Sequence, residues 1–201
     1  ESAPSAPAYV ATAADMLVRL TTGDTGAGDA AVQRDLADTP LGTRTNLTVA
    51  GYNSSNYSLL TNAAKTYLRF NLEGIGTPLS AQLKLTFAEA RLFEQYGYYD
   101  IGAVLLSDAS DSWYENTVTW SNAPQNSTSS YWFTGTVQSL GGFYEEQLPI
   151  PGESVSASLN AATLFNNRGA NNLVTVALYQ YYGASMGWAS REHPSYAPPT
   201  L

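Results

Sequence analysis

Cysteine is absent from the 201 residues, so neither a disulfide nor a thiol nucleophile is available. A Cys-free chain fits either redox compartment, and its location is not fixed by this absence. Histidine occurs once, as His193 in the Pro-rich stretch REHPSYAPP, which excludes a metal site built on several imidazoles. His193 reads as a surface or capping residue, and no Gly-x-Ser-x-Gly elbow accompanies Ser190 or Ser195. Charged residues make up only 13% of the chain, well below the usual ~25%. Lysine appears only as Lys65 and Lys84. The net charge of −8 argues against nucleic acid and anionic membranes as partners. It also suits a polyanionic glycan poorly, unless arginines or a bound cation bridge the two. No run of about 18 apolar residues is present, so no spanning helix is expected. There is no initiating Met and no apolar leader, and Glu1 followed by SAPSAPA is expected to be the tip of a processed, mature chain.

The chain is rich in Thr, Ser, Val, Leu and Tyr, with 14 Tyr and 4 Trp, punctuated by 16 Gly and 10 Pro. That balance suits many short strands joined by turns, in one domain large enough to bury a core. Residues 1–8 are expected to form an extended arm and residues 9–201 a single β-sandwich domain. Tyr9–Leu20 alternates as a long first strand, 21–44 reads as a Gly/Asp/Thr-rich surface loop, 46–49 as a strand and 50–56 as a loop. In TYLRFNL, Leu68, Phe70 and Leu72 share one face; in SAQLKLTFA, Ala81, Leu83, Leu85 and Phe87 do. Such alternation predicts antiparallel sheets with one wet face. Tyr98–Leu106 is expected to be a central strand, and 130–138 and 143–150 form a hairpin around Gly141-Gly142. Spacing of Val155, Leu159, Ala162 and Phe165 predicts one short helix near 157–166, stopped at Gly169, before a strand at 173–180. The fold expected is all-β: a two-sheet antiparallel sandwich with at most that helix. Leu68, Phe70, Leu83, Leu85, Phe87, Trp120 and Val176 are the expected core.

The most distinctive stretch is Asp108–Pro124, DASDSWYENTVTWSNAP, in which TVTW reads as a short strand stopped by Asn122 and Pro124. Its pattern D-x-W-x-E-x-T-V-T-W-x-N-x-P resembles the signature of the DNRLRE domains. These are secreted β-sandwiches that include family 96 carbohydrate-binding modules and archaeal disaggregatase repeats. TYLRFNL (66–72), SAQLKLT (80–86), NRGANNL (167–173), and SRE (190–192) with PPTL (198–201) are similar to further family motifs in the family's order. ADMLVRL (14–20) is similar to the family's opening motif, and Pro40–Val49 more loosely to its second. The resemblance implies a jelly-roll-like sandwich, an extracellular setting, core packing for Trp113 and Trp120, and a partner for Glu115 at Arg69 or Arg191.

Three kinds of site are read from the residues. Asp108, Asp111 and Glu115 are candidate calcium ligands or an acid–base pair, with turn formation as the simpler role. Tyr96, Tyr98, Tyr99, Trp132, Tyr179, Tyr181, Tyr182 and Trp188 are candidate glycan or protein contacts, since flat rings pack on sugar C–H faces and on partner proteins alike. Asn46, Asn53, Asn56 and Asn126 sit in N-x-S/T sequons. No nucleophile–base pair and no cofactor motif is found. Two functions compete for a secreted or cell-surface, non-catalytic protein. One is a structural subunit that polymerises with copies of itself into a filament. The N-terminal arm, through Tyr9, Val10 and Ala11, would pair with a neighbour's sheet edge left open where the chain stops at Leu201. The other is a carbohydrate-binding module for an extracellular polysaccharide, normally attached to a degrading enzyme.

Overall fold

Alternating residues along Leu68–Leu72 and Leu83–Phe87 deliver aliphatic and aromatic side chains to one side of each strand, and that side is the core of the molecule. A computed structural model describes residues 17–53, 58–91 and 97–201, with the side chains of Tyr52, Asn53, Ser58, Arg91 and Tyr181 outside that description. Among the described residues nine strands are seen: β1 Gly28–Gln33, β2 Asn46–Asn53, β3 Ser58–Asn71, β4 Ala81–Arg91, β5 Tyr99–Leu105, β6 Gln138–Glu145, β7 Ser154–Leu159, β8 Leu173–Gly183 and β9 Ser185–Ala189. One helix, α1 (Ala161–Asn166), is capped by Asn160, whose side chain accepts from the Thr163 N–H at 3.0 Å.

All pairings are antiparallel, in the order β6-β5-β8-β3-β2-β9-β4-β7, with β1 on the other edge of β3. The result is a β-sandwich-like fold in which a single sheet wraps until it is nearly a barrel. β2 makes the passage between layers: residues 46–49 pair with β9, and residues from Ala50 onward pair with β3. At the far side β6 meets β7, and the Asn160 N–H donates to the Leu140 carbonyl at 2.8 Å. The inner core gathers Leu68, Phe70, Leu83, Leu85, Phe87, Val176, Leu178 and Trp188, all almost without exposed surface. Every residue expected in the core from sequence is buried, Trp120 included.

Several expectations are corrected. Residues 21–44 contain β1, buried along its whole length; small Gly, Asp and Ala side chains let it slide between the β3 edge and the loops that cover it, and they disguise it as a loop. β2 likewise continues through 50–53. Residues 17–20 are irregular, and the remainder of the expected first strand, with Tyr9, Val10 and Ala11, lies outside the described residues. The TVTW stretch is not a strand: Val118 N–H bonds the Tyr114 carbonyl and Thr119 N–H bonds the Asn122 side chain, which winds it into turns. Gly141 and Gly142 lie inside β6, where a bulge at Leu140 sends both Leu140 and Phe143 into the core, so no hairpin turn forms there. Val155 and Leu159 belong to β7, and helix begins only at Ala161.

The sheet edge expected to be open at Leu201 is closed within the chain. Leu201 and Leu20 exchange both backbone bonds at 2.8 Å, and Thr200 pairs with Lys84 on its other side. Among the described residues no helix is long and apolar enough to cross a membrane.

Candidate functional site

The outer face of β3, β5 and β8 is not wet. Residues 106–137, nearly all irregular, fold over it as a roof and create a second cluster of Trp113, Val118, Trp120, Ala123 and Phe133 against Ala30, Tyr67, Val104 and Ala177. Polar side chains pin this roof. Arg69 donates to the carbonyls of Gly26, Asp111 and Trp113, with its guanidinium 4.9 Å over the Trp113 ring. Trp113 in turn donates to the Thr175 hydroxyl at 3.0 Å. Lys65, 1% exposed, donates to Asn126 Oδ1 (2.6 Å), the Trp132 carbonyl (2.6 Å) and the Ser127 carbonyl (3.2 Å), beneath the rings of Trp120 and Phe133. Burial pushes its ammonium down to about 7, while the three acceptors match three N–H donors that only the charged form carries. Gln125 completes the fastening: its amide donates to Thr134 and Thr136 and accepts from Ser107 N–H and Ser110.

Where the roof ends, aromatic rings come to the surface. Gly102 on β5 stands opposite Gly142 on β6 and Tyr179 on β8. A Cβ at Gly102 would lie 2.3 Å from the Tyr179 ring, so the ring rests across β5 on bare backbone. Trp132 meets Tyr179 edge-on at 4.8 Å, and Tyr131 lies tilted beside it at 5.9 Å. Tyr131 and Tyr179 are half-buried and Trp132 is 37% exposed. Asp100, exposed two residues along the same face of β5, stands opposite Tyr144, which is 59% exposed and 6.4 Å from the ring of Tyr98. The Tyr179 hydroxyl is raised above its ordinary value by burial, then by Tyr131 and the Asp100 carboxylate. Ring faces at the surface with a carboxylate nearby are groups that suit a pyranose: its C–H faces stack on rings, and its hydroxyls donate to an acid.

Of the expected contact residues, Trp132 is part of this platform and Tyr98 borders it through Tyr144. Tyr182 is half-buried in β8, Tyr181 shares that strand, and Tyr96 lies outside the described residues. Tyr99 and Trp188 are corrected: both sit in the inner core with ring centroids 5.9 Å apart and offer nothing to a ligand. Tyr179, one of the expected ring set with Tyr181 and Tyr182, is part of the platform, whereas Tyr131, Tyr144 and Asp100 were not singled out as the site. The signal that could have found them is Gly102 inside an otherwise apolar strand, which marks a close approach.

The three carboxylates proposed for calcium are not assembled. Asp108 packs against Gly169, and Asp111 is buried beside Thr175, its carboxyl pushed up to about 6 chiefly by burial. Glu115 turns away to accept from Asp29 N–H at 2.6 Å and to pair at 3.1 Å with Arg191, one of the two partners expected for it. Among the described residues no three acidic or His side chains could hold a metal ion. Asp29 is fully buried, accepts from the Thr22 hydroxyl and Arg191 N–H, and is raised to about 7, first of all by burial. These contacts tie β1 to the roof and to the SRE segment. His193 stacks on Tyr196 at 4.5 Å and its Nδ1 accepts from the Ser195 and Tyr196 N–H groups, a capping role.

Among the sequons, Asn46 lies half-buried in β2, Asn53 ends that strand, and Asn56 is outside the described residues. Asn126 Nδ2, the atom a glycan would modify, donates to the Trp120 carbonyl at 2.6 Å.

Two hollows lie away from the rings. One of about 410 Å³ is lined by Arg44, Thr45, Asn46, Thr48 and Glu89. Another of about 280 Å³ lies between Trp113, Tyr114 and Asn122. The first has no ring in its lining, and of the two rings lining the second, Trp113 is buried and Tyr114 alone is exposed. No curated protein matches the chain. The model of carbohydrate-binding module family 96 matches residues 21–145, more than half of the 201-residue chain and the whole of β1 through β6 with the roof, and the chain belongs to that family.

Proposed function

We propose that the protein is a non-catalytic module that holds an extracellular polysaccharide on the surface formed by Tyr131, Trp132, Tyr179 and Tyr144. The observation that carries this reading is the Tyr179 ring laid over Gly102 with Trp132 against its edge and Asp100 beside it. Glycine at 102 is what lets the ring lie flat, and the roof fixes Trp132 through its carbonyl bond to Lys65. Family membership supports carbohydrate as the ligand class. Self-assembly by strand exchange has less support, because the edge it would use is paired within the chain by Leu20 and Lys84.

Retardation of the native protein in gels containing soluble polysaccharides tests the reading. The expected outcome is retardation by at least one polysaccharide. Trp132→Ala should weaken it by about tenfold or more, equivalent to about 1.4 kcal/mol. Near-UV circular dichroism would verify that the variant keeps its packing. Unchanged retardation in Trp132→Ala, or none with any polysaccharide, counts against the platform.

A further inference from the structure

Resting on that reading, we infer that the hollow of Arg44, Asn46, Thr48 and Glu89 is a second saccharide-binding site, and that with the platform it bridges two segments of polysaccharide. The hollow measures about 410 Å³, within the range of about 300–1,000 Å³ usual for ligand clefts. Strand register builds it. Thr48 on β2 and Glu89 on β4 both stand opposite Gly187 on β9, and Asn46 stands opposite Ala189. The alternate residues Leu47, Val49, Met186 and Trp188 turn into the inner core, so Asn46, Thr48 and Gly187 belong to the outer face. A bulge after Phe87, which is itself in the core, returns Glu89 to that outer face. A Cβ at Gly187 would lie 2.9 Å from Glu89 Cγ. The row of Thr48, Gly187 and Glu89 therefore has two polar walls with bare backbone between them.

The lining suits a sugar held by polar contacts in place of stacking. Arg44 and Thr45 are exposed, and Asn46, Thr48 and Glu89 are half-buried. Arginine only donates and an ionised glutamate only accepts, while threonine and asparagine do both. A sugar presents neighbouring hydroxyls that each give and take, so this mixture meets both capacities, and the bonds to the charged groups are the stronger ones. Asn46 Oδ1 is buried and finds no donor among the described residues. Such atoms are uncommon in folded proteins, and a sugar hydroxyl supplies the donor once the amide turns toward the hollow.

The two sites lie on different layers. The platform is on the outer face of β5 and β8, and the hollow is on the outer face where β9 pairs with β4 and with residues 46–49 of β2. In the strand order β3 and β2 stand between β8 and β9, and β2 makes the passage from one layer to the other. Outer faces of opposed layers point apart, so one straight stretch of polysaccharide does not lie on both. Two separate segments do, which makes the module a cross-link. In a dense polysaccharide the second contact raises the apparent affinity without any new bond at the first.

The experiment compares native protein, Trp132→Ala, and a double variant carrying Arg44→Ala and Glu89→Gln, in affinity gels and by light scattering in dilute polysaccharide. Mixed-linkage β-glucan, xylan, galactomannan and polygalacturonate are the probes, and near-UV circular dichroism verifies the packing of each variant. At least one probe is expected to retard the native protein and to scatter more light as its chains are joined. Retardation should be weaker by about tenfold in Trp132→Ala and in the double variant, because each keeps one site. Neither should raise the scattering. Retardation and scattering unchanged in the double variant would overturn the hollow while leaving the platform standing. Retardation of the native protein without any rise in scattering would overturn the bridge. Retardation lost in the double variant but unchanged in Trp132→Ala would overturn both the bridge and the platform, with the hollow as the remaining site. No retardation by any probe would remove the platform reading itself, and this inference with it.

Discussion

Between the two layers, Leu68, Phe70, Leu85, Val176 and Trp188 arrive by strand alternation, and backbone ladders hold them. Beneath the roof, Trp113, Val118, Trp120 and Phe133 come from a segment with almost no regular structure. Side chains hold it: Arg69, Lys65 and Gln125 replace the ladder by donating to roof carbonyls. The comparison teaches that a hydrophobic cluster can be as dry as a sheet core while depending on a few charged and amide groups for its shape. The platform stands on this second kind of core, since Trp132 and Tyr131 leave the roof at its end.

The sharpest way to test the distinction is to empty each cluster in turn. Phe70→Ala and Trp120→Ala should each cost roughly 3–5 kcal/mol in urea unfolding, as large buried truncations do. They should differ in hydrogen exchange: Trp120→Ala should lower protection in 107–137 well before β3 and β8, whereas Phe70→Ala lowers it throughout. Equal loss everywhere in both variants would mean that roof and sheet are one cooperative unit.

A smaller effect is expected from Lys65→Met, which keeps the buried stem and removes the three donors. Orphaned buried acceptors typically cost about 1–3 kcal/mol. The loss should appear chiefly as altered near-UV dichroism of the roof tryptophans, with the far-UV strand signal kept. A fully native near-UV spectrum would show that packing alone shapes the roof.

The most specific effect concerns pH. Burial raises Asp29 from 3.8 to about 7, so across that interval the folded protein binds a proton that the unfolded chain has released. Stability from this group is therefore fully present below about 3.8 and is lost as pH rises toward 7. Asp111, raised to about 6, acts in the same direction. Urea midpoints taken from pH 4 to pH 7.5 should fall less steeply in Asp29→Asn than in the native protein. An unchanged slope would place the Asp29 proton elsewhere.

These two regions also explain what could be read in advance. Alternation is the signature of a strand with one buried face, and it located Leu68, Phe70, Leu83 and Leu85 correctly. β1 escaped because both its faces are covered, and GDAAVQ packs by smallness instead of by period. The roof escaped because its burial arises from contacts with β3 and β8, distant in sequence. TVTW alternates as a strand would, yet Asn122 bends it through bonds to Thr117 and Thr119. The family signature marked the roof without revealing its shape. The aromatic platform was legible only in part: Trp132 stood out, while Tyr179 acquires its role from a glycine on a neighbouring strand. Tyr99 and Trp188 show the reverse, rings whose sequence setting fits a surface but whose strands turn them inward.

The strand order carries a kinetic consequence. Of the pairings, only β2 with β3 and β5 with β6 join strands consecutive in sequence; β3 waits for β8, and β4 for β7 and β9. Non-local pairings of this kind place folding in the slow range for β proteins, about milliseconds to seconds. The roof needs β3, β5 and β8 already side by side before Lys65, Arg69 and Thr175 can meet their partners. The ring platform therefore takes shape only once β8, through Gly183, has paired with β3 and β5.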